Sequence, residues 1–160
     1  MRVPDEYREL LAPYFPDLSL WEVVDLQIVA LPDGRVLVPH AVVRMPVMRA
    51  ASLKAGHSLK TAGMTIGNTI YLDPAFAQLD TAAGLALLAH EREHVDQIRT
   101  IPNFQRLYDE AARATPPDHP WENPYEMSAY ERERQVYCDL VSVGVPAGPW
   151  LPLGFQLWGC

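Results

Sequence analysis

Cysteine is nearly missing from this chain: Cys138 and Cys160 are the only two in 160 residues. Two are too few for the disulfide framework that holds small secreted domains together, and they lie too far apart to match a zinc-binding cysteine pair. The expectation is that Cys138 is a buried small apolar residue and that Cys160, the last residue, has no function. Lysine is equally scarce, with only Lys54 and Lys60 beside scattered arginines. Thirteen basic residues face twenty acidic ones, for a net charge of −7, which excludes a nucleic-acid or anionic-membrane surface. Long apolar runs are absent as well. The longest lies near "LALLA", far short of the roughly 20 residues that span a bilayer, so no membrane insertion is expected. The N-terminal stretch "MRVPDEYRELLAPYF" carries acids and prolines where an export signal needs a continuous apolar core, and the expectation is a cytoplasmic protein.

What remains is a globular composition, 49% hydrophobic and 21% charged, in a chain about one domain long without repeats or low-complexity tracts. An N-terminal helix over 4–14 opens at Pro4 and closes between Pro13 and Pro16. A sheet region spans 22–72. In it "EVVDLQIVAL", the turn signal "PDG" and "RVLVPHAVVRMPVM" suggest a hairpin, with Pro39 and Pro46 at edge or bulge positions. "GMTIGNTIYLDP" reads as one strand with Met64, Ile66, Ile70 and Leu72 on one face and Thr65, Thr69 and Tyr71 on the other. Asp80 or Thr81 caps a helix over 81–100. A further helix, "PNFQRLYDEAARA", and a proline-rich loop lead to a helix over 123–143, capped by Asn123 with Pro124 at its first position. The tail over 146–160 has two Trp, a Phe and three prolines, and reads as an extended apolar strap laid on the core or on a partner.

The chemistry is concentrated in "LLAHEREHVDQ". On a helix, residues four apart lie one above the other, so His90 and His94 aim both imidazoles at one point and make two metal ligands. Glu91, about 100° further round, lies beside the ion rather than on it. Zinc held by three protein groups keeps one position open to water and lowers that water's pKa to about 7, so that Glu91 can take a proton at neutral pH. The competing reading is a chance match on a solvated face. The apolar "AAGLALLA" just upstream counts against it, because buried imidazoles without partners are costly.

A third ligand has to come from elsewhere. No His lies between His94 and His119, so the later helix supplies the candidates. Glu126, Ala129, Tyr130, Val136, Tyr137 and Leu140 share a broad core-facing side with Glu133. Glu126 is the stronger candidate and Glu133 the reserve. Asn123 with Glu126 also fits a capping box, in which the Glu turns back to its own helix. Glu93 and Asp96 are expected in solvent, paired with Arg92 or Arg99 at helix spacing.

With these residues in view, "HEREH" together with "EMSAY" resembles a minimal zincin metallopeptidase of the gluzincin type. More narrowly, "GMTIGNTIYLD", "LLAHEREHVDQ" and "NPYEMSAY" resemble small bacterial domains related to the metallopeptidase core found near contractile injection systems, over roughly residues 62 to 140. The resemblance implies a zinc site of His90, His94 and Glu126 with Glu91 as base. It also implies a substrate-binding edge strand, for which Met64 to Leu72 is the match if it is not a core strand. In gluzincins an Asp four residues after the glutamate ligand often supports a histidine; here that place is Tyr130. "RE" at 92 and 93 is more charged than usual, which implies a wetter helix face. Tyr130 and Tyr125 are candidates for a supporting group or proton donor, and His57 and His119 could equally donate the proton.

The expectation is therefore an α+β, zincin-like single domain over 1–160, a small mostly antiparallel sheet packed on the HExxH helix and the glutamate helix. Its function would be zinc-dependent hydrolysis of peptide bonds in a peptide or protein substrate. The alternative is a catalytically silent zinc-bound structural or adaptor domain, its cleft blocked, with a protein partner docked through the apolar tail. A zinc hydrolase acting on amides outside proteins is a second alternative.

Overall fold

The computed structural model of the chain describes residues 1–31, 47–51, 60–116 and 119–160. The N-terminal helix is α1, Asp5–Leu11, with Asp5 and Glu6 in its first turn, where the helix dipole favours negative charge. A 3-10 helix over Leu18–Val23 follows, opened by the Asp17 carboxylate accepting from the Ser19 amide. It buries Trp21 edge-on to Phe15, with ring centroids 5.8 Å apart.

Four strands form one sheet: β1 (Asp25–Ile28), β2 (Val47–Ala51), β3 (Lys60–Ile66) and β4 (Thr69–Leu72), in the order β1-β4-β3-β2. β1 pairs with β4 in parallel, and the other two pairings are antiparallel. The fold is thus α+β with a mostly antiparallel sheet. The single strand expected over 64–72 is instead the β3–β4 hairpin, in which Ile66 pairs with Thr69 and Thr65 with Ile70. The two-residue turn at Gly67 and Asn68 hides inside an apolar pattern, and Gly67 takes φ +58°, which glycine adopts without a Cβ penalty. Reversing the chain there changes the faces: Thr65, Ile70 and Leu72 are buried, while Ile66 is exposed. Among the described residues β3 and β4 are the two central strands, so Met64 to Leu72 offers no free edge for an added peptide strand. The first expected hairpin falls partly on 32–46, outside the described residues, and so do Pro39, Pro46 and His57; its described end, β2, pairs with β3 at the far side of the sheet from β1.

α2 (Ala82–Thr100) starts where Thr81 Oγ1 accepts from the Gly84 amide. Its first two turns are buried throughout, and Leu85, Leu87 and Leu88, each with 1% exposure or less, gain about 1.5–3 kcal/mol apiece relative to solvent. α3 (Phe104–Ala114) comes next, then a 3-10 turn over Pro120–Glu122 and α4 (Pro124–Ser142), which lies against α2. The buried residues of α4 are Glu126, Ala129, Tyr130, Glu133, Val136, Tyr137 and Leu140, the face expected from the sequence.

The tail is not simply an extended strap. Its Pro146 and Ala147 carbonyls accept from the Ala82 and Ala83 amides at 2.8 and 3.0 Å, satisfying donors that a helix start leaves open. A short helix, α5 (Leu153–Trp158), then packs on α4, with Phe155 against Tyr137. Cys138 and Cys160 form a disulfide, Cα–Cα 5.6 Å, which corrects the expectation of an inert Cys138 and a functionless Cys160. Spacing alone does not foretell this bond, because the tail has to fold back along α4 before the sulfurs meet.

Candidate metal centre

The α2–α4 contact buries three donors together. His90 Nε2 and His94 Nε2 are 3.2 Å apart, on successive turns of α2. Across from them Glu126 in the first turn of α4 places Oε2 at 3.4 Å from His90 Nε2 and Oε1 at 3.6 Å from His94 Nε2. All three residues have 2% exposure or less, and one ligand atom from each fits within a 4.8 Å group able to hold a metal ion. Glu126 Oε2 has no hydrogen-bond partner among the described residues. A buried carboxylate oxygen without a hydrogen bond, set beside the His90 imidazole nitrogen, is what a cation would satisfy. The capping-box alternative is settled by division of labour: Asn123 Oδ1 takes the Tyr125 amide at 3.0 Å, which leaves Glu126 facing the histidines.

Around the donors sits a supporting layer. His90 Nδ1 lies 2.9 Å from Glu133 Oε2, so the reserve ligand addresses the far nitrogen of a histidine instead of joining the donor group. His94 Nδ1 lies 2.9 Å from Gln97 Oε1, and the Gln97 amide donates to the Tyr125 carbonyl and Ser128 Oγ, tying α2 to α4. Tyr108 on α3 donates its hydroxyl hydrogen to Glu126 Oε1 at 2.6 Å. Such partners fix the tautomer and orientation of ligand side chains. Tyr130 packs its ring on His90, centroids 4.7 Å apart. Tyr125 packs against Phe104 and Tyr108, and His119 lies 2.8 Å from Glu122 on the 3-10 turn. Sequence reasoning missed Tyr108, Gln97 and Thr65. The one available signal was the pairing of two aromatic residues, Phe104 and Tyr108, four apart on α3, which marks its buried side.

Glu91 is fully buried, and Thr65 on β3 donates its hydroxyl hydrogen towards Glu91 Oε2 at 2.7 Å, with the Glu91 carbonyl a second acceptor at 3.0 Å. Glu91 Oε1 has no partner among the described residues. Arg92 corrects the expectation of a wetter helix face. It has 0% exposure, its guanidinium lies 5.2 Å from the Phe15 ring and 5.0 Å from the Trp21 ring, and it pairs with Asp96. Glu93 is half-buried and reaches Arg132 rather than Arg92 or Arg99.

Burial and charge shift the site's protons in definite directions. Burial by itself lowers His90, but the Glu126 and Glu133 carboxylates outweigh it and hold the imidazole up at about 9. Burial raises Glu126, and the His94 and His90 imidazoles more than offset this, leaving it well below the usual carboxylate range. Burial raises Glu91, against the pull of the two histidines. Tyr108 is pushed far up by burial and by Glu126, so it remains a hydrogen-bond donor at any ordinary pH. The signs give a stability profile for metal-free protein. The raised His90 contributes stability that is whole below 6.5 and lost as pH rises through about 9. The lowered Glu126 contributes above 4.5 and loses it in acid. From His90 and Glu126 together, chelator-treated protein is expected to melt highest between 4.5 and 6.5, with Glu91, whose carboxyl burial raises, adding a decline that begins above 4.5 and favours the acid end of that window. Metal-loaded protein should show the opposite slope over that alkaline range, since metal and proton compete for the same imidazoles. Thermal melts across pH with and without chelator check both slopes.

Residues 43–102 match the eCIS core domain family. That span runs through β2, β3, β4 and α2, so it carries His90, Glu91 and His94 and stops before Glu126. No match is found among curated proteins or among solved structures. No described helix is long and apolar enough to cross a membrane.

Proposed function

We propose that the chain is a zinc-dependent hydrolase that cleaves peptide bonds, with His90, His94 and Glu126 holding the metal and Glu91 as general base. The observation that carries this reading is the donor spacing. Ligand atoms on a tetrahedral ion with bonds of about 2.0–2.1 Å stand roughly 3.3 Å apart; the two Nε2 atoms here are 3.2 Å apart, and the Glu126 carboxylate reaches the first through Oε2 at 3.4 Å and the second through Oε1 at 3.6 Å. Two imidazoles and one carboxylate form a donor set that suits zinc and leaves a coordination position open. Bound zinc supplies Lewis acidity towards a water molecule and towards the substrate carbonyl.

The chain's own groups do the rest. Glu91 receives a proton at Oε1, the oxygen with no protein partner, and returns it to the departing amine. Glu133 and Gln97 hold the two imidazoles with their Nε2 atoms inward. Tyr108 holds Glu126 against rotation. A cavity of about 110 Å³, walled by Tyr108, Ala112, Pro116, Pro120 and Asn123, borders Glu126. The rival reading, a silent domain plugged by its own tail, gains little from the ring contacts seen among the described residues, which include Trp150 on Phe76 and Phe155 on Tyr137. Its support is the depth of the ligands.

Metal content is the deciding measurement. Protein purified without added metal is expected to carry about one zinc per chain, and His94→Ala almost none, because two protein ligands do not make a stable site. Chain without zinc that also fails to take it up would remove the reading altogether.

A further inference from the structure

Glu91 sits between α2 and the sheet, and two residues of one strand touch it. Gly63 and Thr65 are two apart on β3, so they face the same side of the sheet, towards α2. Thr65 reaches Oε2 at 2.7 Å. Gly63 lies under the other half of the carboxylate: a Cβ built there would stand 2.8 Å from Glu91 Cδ and 2.9 Å from Cγ, closer than side-chain atoms pack, with Oε1 the nearest atom of all. The strand is fixed on both sides, Gly63 pairing with Arg49 and Leu72, and Thr65 with Val47 and Ile70.

Resting on Glu91 as the base of the proposed hydrolase, we propose that Gly63 and Thr65 are positioning residues that together seat its carboxylate, the hydroxyl holding Oε2 and the bare glycine keeping the side of Oε1 clear. A long flexible side chain loses rotamer freedom when a general base is held in one place, and a strand paired on both edges imposes that order before substrate arrives. A β-branched threonine is suited to the task because its χ1 is restricted. A purely architectural reading would have Gly63 serve close strand–helix packing and Thr65 satisfy the Glu91 carbonyl. The two readings differ in what happens beside the metal when the packing is kept and the hydroxyl is removed.

The test uses the full chain loaded with cobalt(II), whose visible absorption follows the deprotonation of solvent at the open position without needing a substrate. Wild type, Thr65→Val, Thr65→Ser, Gly63→Ala and Glu91→Gln are compared for cobalt content and for the pH midpoint of the spectral change. All five are expected to bind cobalt. The midpoints of Thr65→Val and Gly63→Ala should move by about one pH unit towards that of Glu91→Gln, a tenfold change in proton affinity, while Thr65→Ser stays with wild type. If Gly63→Ala does not fold, the Thr65 pair decides alone. Thr65→Val and Gly63→Ala tracking wild type while Glu91→Gln departs would overturn the seat. Glu91→Gln itself tracking wild type would instead overturn Glu91 as base.

Discussion

Glu91→Gln protein is expected to bind zinc as wild type does and to lose hydrolysis of an unbiased peptide mixture by roughly 10²–10⁴-fold. Glutamine has the shape of glutamate, so the buried slot between α2 and β3 stays filled and its amide oxygen still accepts from Thr65. What disappears is the capacity to take and return a proton. The proposed ligands do not depend on that capacity, since His90, His94 and Glu126 are braced by Glu133, Gln97 and Tyr108. The same substitution should leave the thermal midpoint unchanged or raised, because a carboxylate that burial pushes towards its neutral form is costly to keep ionised. The measurements are zinc per chain, initial rates and a melt on the same preparation. Full hydrolysis with glutamine at 91 would remove the mechanism, and loss of zinc would make Glu91 a ligand.

The placing of Glu91 beside the two histidines was visible in the sequence, and the reason is local. Helical spacing alone puts His90 and His94 on one side and Glu91 beside them. The buried face of α4 was legible for the same reason, down to Glu126 and Glu133 on an apolar stripe. Other features were hidden because they arise between elements. Glu133 could be placed near the centre, but only the packing of α4 on α2 shows it at His90 Nδ1 rather than among the donors. Tyr108 belongs to α3, and nothing in its own helix says which ligand it will meet. The β3–β4 turn was masked because Met64, Ile66, Ile70 and Leu72 keep an alternating pattern across it, so a hairpin looks like one strand. Arg92 looked like a sign of solvent, yet Phe15 and Trp21, far away in sequence, give its guanidinium two aromatic faces on which to be buried.

The tail supplies the other large effect. Reducing the Cys138–Cys160 bond, or replacing both cysteines by serine, is expected to lower the unfolding free energy by about 3 kcal/mol, the chain-entropy value for a loop of this length; the bond closes 22 residues of sequence. For a chain of this size that is a fall of roughly 6–12 °C in the melting midpoint. The ligands should stay in place at room temperature, because the contacts that brace them run between α2, α3 and α4. The first turn of α2 is more exposed to the loss, since its Ala82 and Ala83 amides depend on carbonyls of the tail. Amide hydrogen exchange should therefore speed up at 82 and 83 well before it does at 90 and 94. Equal melting curves with and without reductant would mean that the bond contributes nothing in solution. A disulfide of this kind persists in oxidising surroundings and is reduced in the cytosol, so the reductant titration also tests the cytoplasmic expectation drawn from the N-terminal sequence. A bond that survives only at oxidising potentials would place the stable form of the protein outside that compartment.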